Sequence, residues 1–251
     1  VENIFKENDI KEIIHFAASL VVPESVEQPL KYYLNNTANT ASLIKTATKY
    51  GVNKFIFSST AAVYGEPNKE DIPVSETTRT SPINPYGSSK LFSESVIKDT
   101  AFANETFKFV ILRYFNVAGA DVDGKIGQST LNATHLIKVA AETALNKRAK
   151  MSIFGDDYDT QDGTCIRDYI HVCDLADAHL KALKYLDANP SDIFNCGYGY
   201  GYSVKEVIDT MKKVSNTDFK VDIVPRRAGD PSTLISNNTK IKTKMNWTPK
   251  Y

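Results

Sequence analysis

The sequence predicts an α/β fold, a doubly wound parallel sheet with helices on both faces, followed by a smaller α/β lobe. Three observations predict it. Through the first two-thirds of the 251-residue chain, short β-branched or aromatic runs alternate with longer helical patterns, the rhythm of strands joined by helical crossovers. Hydrophobic residues make up 42% and charged residues 24%, which supplies the apolar mass for a core and excludes a disordered chain. No run approaches 18 uninterrupted apolar residues, so no membrane-spanning helix, and no membrane partner, is expected.

Residues 12–16 (EIIHF) read as a buried strand. Pro29 opens a helical pattern that runs to Tyr50, with Gly51 as its C-terminal stop. Residues 54–59 (KFIFSS) form a second strand, followed by a long loop, a helix over 85–104 and a third strand over 107–113. Ligands of such sheets sit at the carboxyl ends of the strands, so the loops after Phe16, Ser59 and Arg113 are where chemistry is expected. Beyond Asn116 the rhythm loosens: helical patterns cover 132–147, 174–187 and 204–215, with short strands at 152–154, 168–172, 193–196 and 221–224. The expected division is a first domain over 1–116, to which 168–187 returns, and a second lobe over 117–251.

Thirty basic residues balance thirty acidic ones, whereas a nucleic-acid binder usually carries a basic surplus; no nucleic-acid partner is expected. Cys165, Cys173 and Cys196 form no CxxC pair and, being odd in number, cannot all close into internal disulfides, which fits a reducing cytoplasm. Cys165, His171, Cys173 and His179 match no zinc-ligand spacing, so no metal is expected. The opening residues lack the basic-then-apolar plan of a signal peptide and an initiator Met, as in a chain that begins inside a longer protein.

Gly197-Tyr198-Gly199-Tyr200-Gly201-Tyr202 follows a short strand and precedes a helix that Ser203 and Glu206 would cap as a pair. Strand, glycine loop and helix is the setting of a dinucleotide fingerprint, and Asp222 lies at a plausible distance for a ribose ligand. The pattern is GxGxG rather than GxGxxG and its strand is short, so a flexible turn between lobes is the preferred reading.

The sharpest signal is Asn84-Pro85-Tyr86-Gly87-Ser88-Ser89-Lys90. Asn84 suits an N-cap and Pro85 a first helical position, which puts Tyr86 and Lys90 on one face, a turn apart. A phenol ionises near pH 10, and both a neighbouring ammonium and the positive end of the helix favour its phenolate, so Tyr86 is a candidate general base. Residues 57–65 (FSSTAAVYG) place hydroxyls at the carboxyl edge of the preceding strand.

Together FSSTAAVYG, SPINPYGSSK, LRYFNVAGA and DGTCIRDYIHVCDLADAH, in this order, resemble the extended short-chain dehydrogenase/reductase superfamily, and within it the UDP-glucose 4-epimerase family. The resemblance covers nearly the whole chain and implies an NAD(P)-binding Rossmann-like sheet, its first part missing, with NAD as cofactor and a UDP-hexose as substrate. Tyr86 matches the family's catalytic tyrosine, Lys90 its partner, which also holds the nicotinamide ribose, and Thr60 the residue that bonds the sugar hydroxyl and the tyrosine. Phe16, Ala17, Ala18, Ser19 and Leu20 look like the loop along the NAD phosphates and ribose; many relatives carry a lysine where Leu20 stands. Asn35 matches a cofactor-side asparagine and Phe115 a residue near the nicotinamide. Asn116, Arg167, Arg227 and Asp230 align with residues that grip the UDP-sugar, and His135 falls where many relatives have an asparagine. Leu234 aligns with a position near the sugar's 2-substituent that varies between tyrosine and small residues, which predicts room for N-acetylated sugars.

The mechanism so implied is proton removal from the sugar 4-hydroxyl by Tyr86, hydride transfer from C4 to NAD, and return of the hydride to the other face of a 4-keto sugar. A 4,6-dehydratase is the nearest rival, but such enzymes place Asp-Glu after the Ser/Thr, where Ala61-Ala62 stand here and cannot move a proton. Epimerases of other UDP-sugars, such as UDP-glucuronate, and a non-catalytic sensor on the same fold are the further alternatives. The family opens with a GxxGxxG turn and an acidic ribose ligand within roughly 60 residues that do not precede Val1, so the polypeptide alone is expected to hold NAD poorly. The family also implies a homodimer for the full-length protein.

Overall fold

A computed structural model of the protein describes residues 1–130 and 133–251. In chain order the elements are α1 (Glu2–Glu7), β1 (Glu12–His15), α2 (Val22–Glu27), α3 (Pro29–Tyr32), a π-helical turn (Tyr33–Ala38), α4 (Asn39–Lys49), β2 (Lys54–Thr60), α5 (Pro85–Ala103) and β3 (Lys108–Tyr114). They continue with β4 (Asn116–Ala118), α6 (Leu136–Ala144), β5 (Met151–Phe154), β6 (Ile166–Arg167), β7 (Tyr169–His171), α7 (Val172–Ala188) and β8 (Asp192–Cys196). The last are β9 (Tyr202–Ser203), α8 (Val204–Ser215), β10 (Val221–Val224), β11 (Thr233–Leu234) and α9 (Thr239–Met245).

The main sheet has the order β1-β2-β3-β8, and every neighbouring pair is parallel. Phe55 through Thr60 and Phe109 through Arg113 are buried without alternation, as strands covered on both faces must be. On one side Ile56, Val110, Leu112 and Phe194 pack with Leu175, Ala178, Ala182 and Leu186 of α7 and with Trp247. On the other, Phe55, Phe57, Phe109 and Ile111 pack with Ile44 of α4 and Ile97 of α5. A separate cluster joins Ala140 of α6, Met151 and Ile153 of β5, and Ile208 of α8, beside the parallel pair β5–β10.

Several details depart from the sequence reading. The helical stretch from Pro29 to Tyr50 is not continuous: the Tyr33–Ala38 turn widens to π geometry, in a segment (YLNNTA) poor in strong helix formers. Gly51 follows the helix at φ 78°, as a C-terminal stop requires. The helices α1 and α2 were not expected, being short and with little apolar periodicity. The short strand before the glycine run is the fourth strand of the main sheet. The helix expected over 132–147 is seen as Leu136–Ala144, and Leu131 and Asn132 lie outside the described residues. Among the described residues no helix is long and apolar enough to cross a membrane, and no cluster of His, Cys, Asp and Glu could hold a metal ion.

Candidate active site

Thr60 and Tyr114, at the carboxyl ends of β2 and β3, both act on Tyr86 in the first turn of α5. Asn84 caps that helix, its Oδ1 accepting from Gly87 N at 2.8 Å, and its Nδ2 donates to Gly229 O at 3.4 Å, which ties the helix start to the loop carrying Arg227 and Asp230. Gly87 is required there, because a Cβ would stand 2.6 Å from Ala62 O. Tyr86 follows Pro85 in the first turn, and the Thr60 hydroxyl, at the end of β2, lies against its phenol and lowers its pKa. The stronger influence is burial, which pushes the phenol upward, with Tyr114 acting in the same direction.

Lys90 is buried and donates to Ser58 O at 2.8 Å, with its ammonium 4.8 Å from the centre of the Phe57 ring. Burial lowers its pKa to about 8. One N–H of the ammonium is thus taken by a main-chain carbonyl of β2, a partner that the spacing of Tyr86 and Lys90 along the helix does not reveal. Beneath lie groups that sequence reasoning missed. The Ser58 hydroxyl reaches His179 Nε2 at 3.2 Å, and His179 Nδ1 bonds Leu175 O at 2.8 Å. The exposed Phe16 ring lies 4.5 Å from the His179 ring.

The loop Phe16–Ala17–Ala18–Ser19–Leu20 is fixed from the π-helical turn. Ser19 N donates to Asn36 Oδ1 at 2.7 Å, Asn36 Nδ2 returns a bond to Ser19 O at 2.9 Å, and Asn35 Nδ2 donates to Ser19 Oγ at 3.0 Å. Asn36, buried, also donates to Ser89 Oγ of α5 at 3.0 Å. Asn35 was expected; Asn36 was not, although a pair of asparagines inside a helical pattern is itself an anomaly that sequence could have flagged.

A cavity of about 400 Å³ opens beside this edge, and its walls bring together Leu20, Asn116, His135, Arg167, Arg227 and Asp230. Arg227 Nε bonds Asp230 Oδ2 at 3.1 Å and its guanidinium lies 4.3 Å over the Phe154 ring, while Arg167 Nη1 donates to Ile166 O at 2.9 Å. His135 bonds Gln128 through Nδ1 at 2.8 Å, and burial lowers its pKa. Thr60, Tyr86, Lys90, Phe115 and Leu234 are not part of the cavity wall. Phe115 and Leu234 are buried together with Ala61, Val63, Tyr64 and Val74.

The profile of the NAD dependent epimerase/dehydratase family matches residues 1–197. The chain belongs to this family. It is 50% identical to a UDP-glucose 4-epimerase of Azospirillum brasilense, with all of this chain and 72% of that relative covered. Among solved structures, a UDP-Glc/GlcNAc 4-epimerase from Campylobacter jejuni is 61% identical, with a TM-score of 0.83 over all of this chain and 75% of that one. A UDP-glucose 4-epimerase from Bifidobacterium longum, solved with NAD+ and UDP, is 40% identical, with a TM-score of 0.96 over all of this chain and 75% of that one.

As a member of the epimerase/dehydratase family the chain resolves the glycine run differently from either sequence reading. The amides of Tyr198 and Gly199 both point at the Asp168 carboxylate, so the loop is neither a phosphate cradle nor a loose turn. Asp222, weighed above as a ribose ligand, sits on β10 in an ion pair with Lys150 at 2.5 Å. The capping box of Ser203 and Glu206 is present. Cys165 and Cys196 are buried and Cys173 partly so, all three unpaired.

Proposed function

We propose that the protein is an NAD-dependent epimerase that interconverts UDP-glucose and UDP-galactose through a 4-keto sugar, and hence an isomerase. The observation that carries this is a cavity lined by Arg167, Arg227 and Asp230, whose loop is bonded at Gly229 O by Asn84, the cap of the helix whose first turn holds Tyr86. The UDP-glucose 4-epimerases that this chain resembles at 40–50% identity support the substrate.

The donor set fits a dinucleotide at the carboxyl edge of the sheet. Among the described residues the Lys90 ammonium has one hydrogen-bond partner, Ser58 O, which leaves two N–H donors for ribose hydroxyls. Phe16, Ala17, Ala18, Ser19 and Leu20 would follow the cofactor's phosphates and ribose, with Asn35 beside them and Phe115 near the nicotinamide. The chemistry NAD supplies when bound is reversible acceptance of the hydrogen and electron pair from C4 of the sugar. Tyr86 Oη moves the proton of the 4-hydroxyl, and Thr60 orients both oxygens. Burial favours the neutral phenol, the form that returns a proton; we read the Lys90 ammonium, on the same helix, as the positive charge that favours the form that takes one. Arg167 and Arg227 offer paired donors to the diphosphate, while Asn116, Asp230 and His135 line the same cavity. Ala61 and Ala62 carry no group for the separate proton transfer that dehydration needs.

The 61% identity to a UDP-Glc/GlcNAc 4-epimerase favours a second reading of the same site, turnover of N-acetylated UDP-sugars as well, with Leu234 as the residue that leaves room. We read the cofactor-binding part as residues 1–116, to which 168–187 returns, with the UDP-sugar lobe in 117–251; the place of β8, residues 192–196, as the fourth strand of the main sheet supports adding it to the first part. Exposed Leu30, Leu34 and Phe92 on α3, the π-helical turn and α5 support a homodimer seam, and the three unpaired cysteines support a cytoplasmic setting. The test is to supply the complete protein with NAD and UDP-galactose. UDP-glucose is expected to accumulate to equilibrium, and its absence overturns the proposal.

A further inference from the structure

We propose that Asp168 is a positioning residue for the sugar-nucleotide pocket, a buried carboxylate that fixes the segments carrying Asn116, Arg167 and Leu234 to the carboxyl edge of the main sheet. The inference rests on the reading of those three residues as substrate contacts. Asp168 has no solvent exposure and stands between β6 and β7. Its Oδ1 accepts from Tyr198 N at 2.8 Å, and its Oδ2 accepts from Gly199 N at 3.0 Å, Ser236 N at 3.1 Å and Ser236 Oγ at 2.6 Å. Four protein donors thus meet the carboxylate, three of them crowded on Oδ2, as a buried charge requires.

The main chain of the same residue completes the junction. Asn116 N donates to Asp168 O at 3.0 Å, and Asp168 N donates to Leu234 O at 3.2 Å. Arg167 is its covalent neighbour. The segments so gathered arrive from separate places: Asn116 from the end of β3, the glycine loop from the end of β8, and Leu234 and Ser236 from β11 and its exit. The glycine of the loop follows from the same geometry, because a Cβ on Gly197 would stand 2.6 Å from Asp168 Oδ2 and 2.5 Å from Ser236 Oγ. The run that reads in sequence as a fragment of a nucleotide fingerprint is therefore an anion cradle turned inward, and its anion is the protein's own.

Asp168→Asn keeps the shape but turns one acceptor into an NH2 group facing main-chain or hydroxyl donors. Gly197→Ala pushes on the same oxygen without touching the charge. UDP binding by calorimetry, NADH binding by fluorescence and amide exchange at Asn116 are measured in the complete protein. Both variants are expected to weaken UDP by about tenfold or more, the scale of a lost charge-assisted bond, to speed exchange at Asn116, and to leave NADH affinity within about twofold. UDP affinity unchanged in both, or an equal loss of UDP and NADH, overturns the proposal, the second outcome marking a merely structural role. If neither variant folds, Ser236→Ala removes one donor and carries the same comparison with an expected UDP loss of about threefold. A wild-type protein that does not bind UDP refutes the substrate reading itself; exchange at Asn116 in Asp168→Asn then decides alone, faster exchange supporting the positioning role and unchanged exchange overturning it.

Discussion

Replacing Arg113 with Met strands a carboxylate beneath the catalytic helix. Glu94, on α5 two turns beyond Tyr86, has no solvent exposure, and Arg113, on β3, is 4% exposed. Arg113 Nη2 donates to Glu94 Oε2 at 2.6 Å and Nε to Oε1 at 3.0 Å, a two-pronged pair; the Ser59 hydroxyl adds a bond to Oε1 at 2.5 Å. The guanidinium also reaches Tyr64 Oη at 3.1 Å, and Tyr64 donates to Asn195 Oδ1 at 2.6 Å. Removing one partner of such a pair leaves a buried charge with one hydroxyl, which costs about 3–5 kcal/mol. In a domain of this length each kcal/mol moves the midpoint by about 2–4 °C, so Arg113→Met is expected to melt about 10 °C below wild type. Arg113→Met combined with Glu94→Leu removes both charges and is expected to recover most of that loss. Thermal melts of wild type, both single variants and the double variant measure it. A single variant within about 1 kcal/mol of wild type, or a double variant no better than the single, refutes the argument.

Two further outcomes follow from the same geometry. Burial and the nearby Lys90 hold His15 down at a pKa of about 4, while its Nε2 bonds Thr40 Oγ1 at 2.9 Å. The unfolded chain takes up that proton near pH 6.5 and the native state only near 4. Stability should therefore fall as pH drops through this window, by at most about 2 kcal/mol between pH 7 and 5, and level off below 4 for this group. Urea titrations at the two pH values should show a smaller difference in His15→Asn; an unchanged difference removes His15 from the acid response. On the proposed reading, in which Leu234 leaves room for the sugar's 2-substituent, Leu234→Tyr should cut turnover of N-acetylated UDP-sugars well below that of the plain sugars. Comparable rates for the two substrates in that variant refute the steric account.

What sequence made legible was whatever a local pattern encodes. Strands β2 and β3 declare themselves as continuous apolar runs, and the Asn84–Pro85 start places Tyr86 in the first turn of α5 without reference to anything distant. The motif-borne residues around the cavity, Asn116, Arg167, Arg227 and Asp230, also come together as expected. What stayed hidden was set by partners far apart in the chain. Lys90 sits on the same helix as Tyr86, yet its ammonium goes to the Ser58 carbonyl because burial demands a satisfied donor there, and no i, i+4 rule contains that information. Asp168 and the glycine run are separated by 30 residues, and only the fold turns the loop's amides inward onto the carboxylate. Asn36 escaped because its neighbour Asn35 carried the family resemblance, while the π-helical turn that exposes one and buries the other is a backbone feature without a side-chain signature.

Proton transfer by one phenol is the claim on which the proposed chemistry stands, and Tyr86→Phe measures it most directly. The variant keeps the ring and its packing and loses only the hydroxyl that faces Thr60. Steady-state turnover of UDP-galactose should fall by about 10²–10⁴-fold, the usual contribution of a positioned acid–base group, while UDP binding by calorimetry stays within about twofold of wild type. Turnover within about tenfold of wild type would contradict the account.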